Sequence, residues 1–136
     1  MKMIEISTDK DKLDVEMIHS YLTNSYWGKG RTKQEVKTTL ENSLNFGVYL
    51  NGEQIGFARI VTDYVVFAYL LDVFVLPIYR GKGYSKRLMK EIVNYDQLNK
   101  VETWFLMTKD AHGLYTQFGY EKLPNPEKMM IRIVEK

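Results

Sequence analysis

Residues 65–76 constrain this chain more than any other stretch. The run Val65-Val66-Phe67-Ala68-Tyr69-Leu70-Leu71-Asp72-Val73-Phe74-Val75-Leu76 is apolar at nearly every position. A strand with one wet face would alternate instead. Such a run needs cover on both faces, which predicts the centre of a sheet with helices on either side. It is too short for a membrane helix, which needs about 20 apolar residues, and Asp72 interrupts it. Pro77 ends the strand. Gly81-Lys82-Gly83 follows and leads into a helix predicted over 84–97. Tyr84, Leu88, Ile92 and Tyr95 share one face of that helix, and Lys82, Lys86 and Lys90 lie on the other side.

The rest of the chain is organised around this unit. A first strand is expected over 2–6 and a first helix over 11–23, from Leu13, Met17, Ile18, Tyr21 and Leu22 at helical spacing. Residues 24–31 form a loop that carries Tyr26 and Trp27. Thr32 and Glu35 fit a capping box that opens a second helix, ending near 45. Strands at 46–50 and 54–61 flank Asn51-Gly52, a strong hairpin signal. A strand at 102–107 and a short helix at 110–118 follow, with Asp110 as N-cap and Gly119 just past the end. The last strands are expected at 120–123 and 128–134, separated by Pro124 and Pro126. This order implies an α+β class: a mixed, mostly antiparallel sheet flanked by helices, in one domain over 1–136. The unit over 65–107 is its one parallel crossover, expected to be right-handed.

Composition removes several chemistries. Nineteen basic against 17 acidic residues, a net charge of +2, is too even for a polycation that coats nucleic acid or membrane. With no cysteine there is no thiolate nucleophile, thiolate metal site or disulfide. His19 and His112, the only histidines, leave little for an imidazole metal centre. No metal, nucleic-acid or membrane partner is expected, and a cytoplasmic location is the default.

The chemistry lies where the apolar strand meets the helix. The first amides of a helix have no intrahelical partner and carry positive partial charge. Gly81 and Gly83 let the backbone approach a ligand, and Ser85 is small. Together they make a phosphate or pyrophosphate cradle. It is not a Walker A loop, because Gly83 follows Lys82 and no glycine stands four residues before Gly81. Nor is it the dinucleotide fingerprint, because Lys86 occupies the third small position.

Arg80-x-x-Gly83-x-Ser85 resembles the Arg/Gln-x-x-Gly-x-Gly/Ala motif of the GNAT N-acetyltransferase superfamily. Ala111-x-x-x-Tyr115-x-x-x-Gly119-Tyr120 resembles its second signature, at the same spacing. Asn51-Gly52-Glu53-Gln54-Ile55-Gly56-Phe57 is similar to the family hairpin. The likeness covers nearly the whole chain. Ser85 stands for the usual Gly or Ala, Tyr84 for an aliphatic residue, Tyr120 for Phe, and Thr108 for a cofactor-contacting Asn.

The resemblance implies a fold with one parallel strand pair splayed around acetyl-CoA, and direct transfer of acetyl to a primary amine of a small molecule or peptide. It assigns the pyrophosphate to the amides of Gly81, Lys82, Gly83, Tyr84 and Ser85, with charge from Arg80, Lys82 and Lys86. The backbone of Phe74 and Val75 would pair with the pantetheine arm. The Val75 amide, at a strand bulge, would face the thioester oxygen. Tyr115 is the implied general acid for the departing thiolate. Asp72 is the leading candidate for acceptor deprotonation, and Asp63 the second. Tyr26, Trp27 and Asp63 are candidates for the acceptor pocket. Arg31 and Arg59 are candidates for a substrate carboxylate, and His112 for the pocket wall. A homodimer through 128–134 is a further expectation. A non-catalytic acyl-CoA-binding module is the alternative reading; an ATP-binding regulator lacks a carboxylate pair for magnesium beside the turn.

Overall fold

The apolar run does become an interior strand. In the computed structural model, which describes residues 3–25 and 29–135, the strands are β1 (Ile4–Ser7), β2 (Leu44–Leu50), β3 (Glu53–Thr62), β4 (Phe67–Val75) and β5 (Thr103–Leu106). Their order in space is their order in sequence. The first three pairings are antiparallel and β4–β5 alone is parallel. β4 is therefore the fourth strand of five, covered on both edges. The helices are α1 (Val15–Thr23), α2 (Lys33–Glu41), α3 (Tyr84–Val93) and α4 (His112–Thr116).

Two apolar layers explain why β4 cannot alternate. Ile18, Leu22, Val36 and Leu40 of α1 and α2 pack with Phe57 and Phe74 on one face. Leu88, Met89, Ile92 and Tyr115 of α3 and α4 pack with Phe46, Ile55, Ile60 and Leu70 on the other. β4 itself contributes Ala68 and Leu70 to one layer and Phe74 to the other.

Local chemistry sets the boundaries. Asp14 accepts from the Met17 amide and starts α1 four residues later than the apolar spacing suggests, after a single 3₁₀ turn at Lys10–Lys12. The Thr32–Glu35 capping box is present with both of its hydrogen bonds. Asn51 and Gly52, both with positive φ (52° and 81°), make the tight turn between β2 and β3. α3 stops at Val93, and a 3₁₀ turn at Asp96–Leu98 replaces its expected last turn. Gly56 has no room for a side chain: a Cβ there would lie 2.9 Å from the Phe74 carbonyl oxygen. Among the described residues no helix is long and apolar enough to cross a membrane.

The two strands expected after α4 do not form. Residues 120–123 and 129–135 have no strand pairing, and 121–135 are exposed throughout. The apolar residues of 129–134 are strand-forming types, but among the described residues β5 carries no sixth strand on its outer edge. α4 is also shorter than expected. Its N-cap is Ala111 rather than Asp110, and the Thr108 hydroxyl instead accepts from the Ala111 amide at 3.0 Å.

Candidate functional site

The site begins where β4 and β5 part. Their ladder runs only from Phe67↔Thr103 to Leu70↔Leu106. From Leu71 onward β4 has no strand partner on that side among the described residues. A cavity of about 520 Å³ opens there, bordered by Arg31, Tyr69, Asp72, Val73, Thr108 and Tyr115.

At the same point β4 breaks its register with β3. Arg59 faces Leu71 and Phe57 faces Phe74, so Asp72 and Val73 together oppose Ala58. This is a β-bulge, which re-aims side chains and leaves one residue outside the ladder. Asp72 sits in it with φ of 55°, a left-handed conformation that Asp and Asn tolerate better than other side-chain-bearing residues. The bulge is thus at Asp72–Val73 and not at Val75, which pairs regularly with Gly56. The Leu76 amide donates to the Ile55 carbonyl at 2.8 Å. By antiparallel alternation the Val75 amide then points away from β3, toward the side where β5 has ended.

The Asp72 carboxylate is buried and committed. Its Oδ2 accepts from Arg59 Nε at 2.6 Å and from Arg31 Nη1 at 2.8 Å. Its Oδ1 has no partner among the described residues. Arg59 is also buried and gives a second bond, from Nη1 to the Ser43 hydroxyl at 3.2 Å. Arg31 is held from behind as well, because the His19 ring Nε2 donates to its carbonyl at 3.0 Å. A carboxylate tied to two guanidiniums is a strut between α2's entry, β3 and β4. Asp72 borders the cavity, with Oδ2 taken by both guanidiniums and Oδ1 buried without a partner among the described residues.

Tyr115 is buried on α4 and borders the same cavity. Its ring packs edge-on against Tyr120, 6.0 Å between centroids. Burial, with Tyr115 alongside, pushes the Tyr120 phenol well above its ordinary range, so it stays protonated.

The glycine turn lies at the far end of β4. Gly81 and Gly83 have φ of 79° and 82°, and a Cβ built on either meets nothing within 4 Å. Gly83 is the N-cap of α3 and brings no side-chain cap. The first amides of the helix therefore have no side-chain cap from Gly83. Lys82 and Lys86 are exposed beside them, and Tyr84 and Ser85 are half-buried. Arg80 is exposed and has a second part. Its Nε donates to the Val75 carbonyl at 3.0 Å and its Nη2 to the Tyr21 hydroxyl at 2.7 Å. Tyr21 stacks on Phe74 at 4.0 Å. Arg80 thus braces the strand end against α1, and neither partner neutralises its charge.

Asp63 does not reach the cavity. Its Oδ1 accepts from the amides of Val65, Val66 and Phe67, which hold its carboxyl below the ordinary range and close the turn before β4. His112 is exposed and does not border the cavity either. Tyr26 and Trp27 lie outside the described residues.

A strand pair that separates beside a bulge, with a glycine turn capping the next helix, is a specific arrangement. A family model for the acetyltransferase (GNAT) domain matches residues 41–122, more than half of the chain and all of this arrangement except Arg31. The chain belongs to the GNAT acetyltransferase family. A GNAT-family protein of solved structure from Xanthomonas campestris pv. campestris, named as an acetyltransferase, is 41% identical. The likeness covers 98% of this chain and 95% of that one, with a TM-score of 0.95. A Gibberella zeae protein named as an acetyltransferase is 32% identical over 135 residues, 81% of this chain and 74% of its own length. An acetyltransferase of Clostridium acetobutylicum solved with acetyl-CoA shares the GNAT fold at 15% identity, TM-score 0.70, over 98% of this chain and 96% of that one.

Two features of the candidate site escaped sequence reasoning. Arg31 and Arg59 are candidates for a substrate carboxylate by sequence, but their pairing with Asp72 was missed, although a lone Asp in an apolar strand already demands cations nearby. Arg59, one strand over, was the accessible clue. The Val73 position had no signal in the alternation, since bulges are visible only in the pairing.

Proposed function

We propose that this chain is an acetyl-CoA-dependent N-acetyltransferase that moves acetyl directly to a primary amine in a ternary complex. One observation carries the reading: the gap where β4 leaves β5 brings the Asp72–Val73 bulge and Tyr115 to one cavity. Bound acetyl-CoA would supply an activated acyl group on a thiol leaving group. The glycine turn fits a pyrophosphate, since α3 has no side-chain cap and the space beside Gly81 and Gly83 is open, which would let a phosphate approach the amides from Gly81 to Ser85. Lys82 and Lys86 would add charge from solvent. The main chain of Phe74 and Val75 would hold the pantetheine arm, as an added strand does, on the side β5 has vacated.

The oxyanion role moves from Val75 to Val73. Val73 borders the cavity and stands in the bulge, whereas Val75 does not border it. An amide fixed there would meet the thioester oxygen as negative charge develops. Tyr115 would hold the proton that the departing thiolate takes. Asp72 serves by fixing the two arginines and the bulge.

Titration calorimetry with acetyl-CoA and a thiol-release assay over an amine panel test this. Tyr115→Phe should keep acetyl-CoA affinity and lose about 10²-fold or more in turnover. Parental turnover in that variant removes Tyr115 from the chemistry. Failure of the parent to bind acetyl-CoA removes the whole reading.

A further inference from the structure

We infer that the acceptor is an amine that carries its own carboxylate, and that Arg31 holds this carboxylate. The inference rests on the N-acetyltransferase reading above. Arg31, Arg59 and Asp72 form one cluster with two positive charges and one negative, a net of +1. Lys109 and Asp110, also on the cavity wall, cancel each other formally. The two arginines are not equivalent. Arg59 is a tenth exposed and bonds both Asp72 and Ser43. Arg31 is a quarter exposed, borders the cavity with Tyr115, and makes one side-chain bond, from Nη1 to Asp72.

A guanidinium offers five N–H donors in a planar fork that matches a carboxylate in two-point fashion. Asp72 takes one of them on Arg31 and fixes the plane. His19, bonded to the Arg31 carbonyl, fixes the backbone beneath it. The result is a braced guanidinium on the cavity wall, a quarter exposed, with donors beyond the Nη1 bond to Asp72. A bare ammonium entering this wall is repelled, and a polycation more strongly. An amine with a carboxylate a few bonds away brings the matching charge, and pairing at Arg31 also sets the distance of its nitrogen from Tyr115.

The test uses α-amino acids, each matched with its α-carboxamide and its decarboxylated amine, assayed by thiol release with saturating acetyl-CoA. The parent should prefer the carboxylate member by tenfold or more in kcat/KM. Arg31→Gln should bring that ratio close to one, with the loss falling on KM, and Arg31→Lys should restore part of it. Acetyl-CoA affinity and the thermal melt report whether each variant is folded. Equal use of all three members, a preference that survives Arg31→Gln, or acetyl-CoA binding with no carboxylated acceptor used, overturns the inference and leaves the donor side standing. Loss of acetyl-CoA binding in the parent overturns the underlying reading instead.

Discussion

Asp72→Asn separates a strut from a base. The substitution removes one charge and little volume, and Asn accepts the left-handed φ of 55° at this position as readily as Asp. What changes is the counter-ion. Arg59, a tenth exposed, and Arg31, a quarter exposed, would share a neutral amide in place of a carboxylate. Removing one partner of a buried ion pair costs about 3–5 kcal/mol. The Asn oxygen still accepts one hydrogen bond, so about 3 kcal/mol is expected. Unfolding entropy near 2.1 cal/mol/K per residue gives about 0.29 kcal/mol/K for 136 residues. The melting temperature should then fall by about 10 °C, read by calorimetry or circular dichroism. Adding Arg59→Met should recover part of the loss, because a buried cation without a partner is exchanged for an apolar side chain. A loss below about 1 kcal/mol would refute the strut. A variant that melts like the parent but has lost turnover would return Asp72 to the role of base.

Gly56→Ala should cost about 2 kcal/mol in urea unfolding, since its methyl would lie 2.9 Å from the Phe74 carbonyl and 3.2 Å from Val48 Cβ; a neutral effect would mean that β3 and β4 can separate there. Gly83→Ala meets no such atom, so its cost is the left-handed backbone, about 1–2 kcal/mol, together with weaker acetyl-CoA binding; parental affinity in calorimetry would argue against the cradle. The Tyr49 hydroxyl is buried with no partner among the described residues, and burial, then Asp9, push its phenol up to about 12 from 10.0. The folded state keeps a proton that the unfolded chain releases, so this part of the stability is intact below pH 10 and is lost as pH rises toward 12. Tyr49→Phe should match or exceed parental stability at pH 7 and lack that alkaline loss; identical alkaline melts of the two proteins would refute it.

Periodicity and punctuation were enough for the layered part of the fold. The uninterrupted apolar run of β4, the Thr32–Glu35 box and Asn51-Gly52 each carry their structure locally. Boundaries failed where a single side chain arbitrated, as Asp14 does for α1. The last two strands failed for a different reason. Met129 to Val134 has strand-forming residues, but pairing needs an edge, and an edge belongs to the fold rather than to the segment. In the site, the glycine turn and Tyr115 were legible because spacing fixes them. The bulge was not, because it depends on how β3 and β4 register. Arg80 shows the limit of a motif: the residue stands in its expected place, but Val75 and Tyr21 decide where its guanidinium points.

In the proposed reaction, the parting of β4 from β5 gives donor and acceptor different kinds of partner. The donor would meet peptide amides, from Val73 in the cavity wall along Val75 to the turn at Gly81 and Gly83 beyond it. These groups are the same whatever side chains stand there, provided the chain path is kept. The acceptor would meet side chains, Arg31 above all. Donor binding should therefore persist through many substitutions, while acceptor choice can be rewritten at one or two positions. For anyone redirecting this protein toward another amine, the place to begin is the Arg31 side of the cavity, with the strand path left alone.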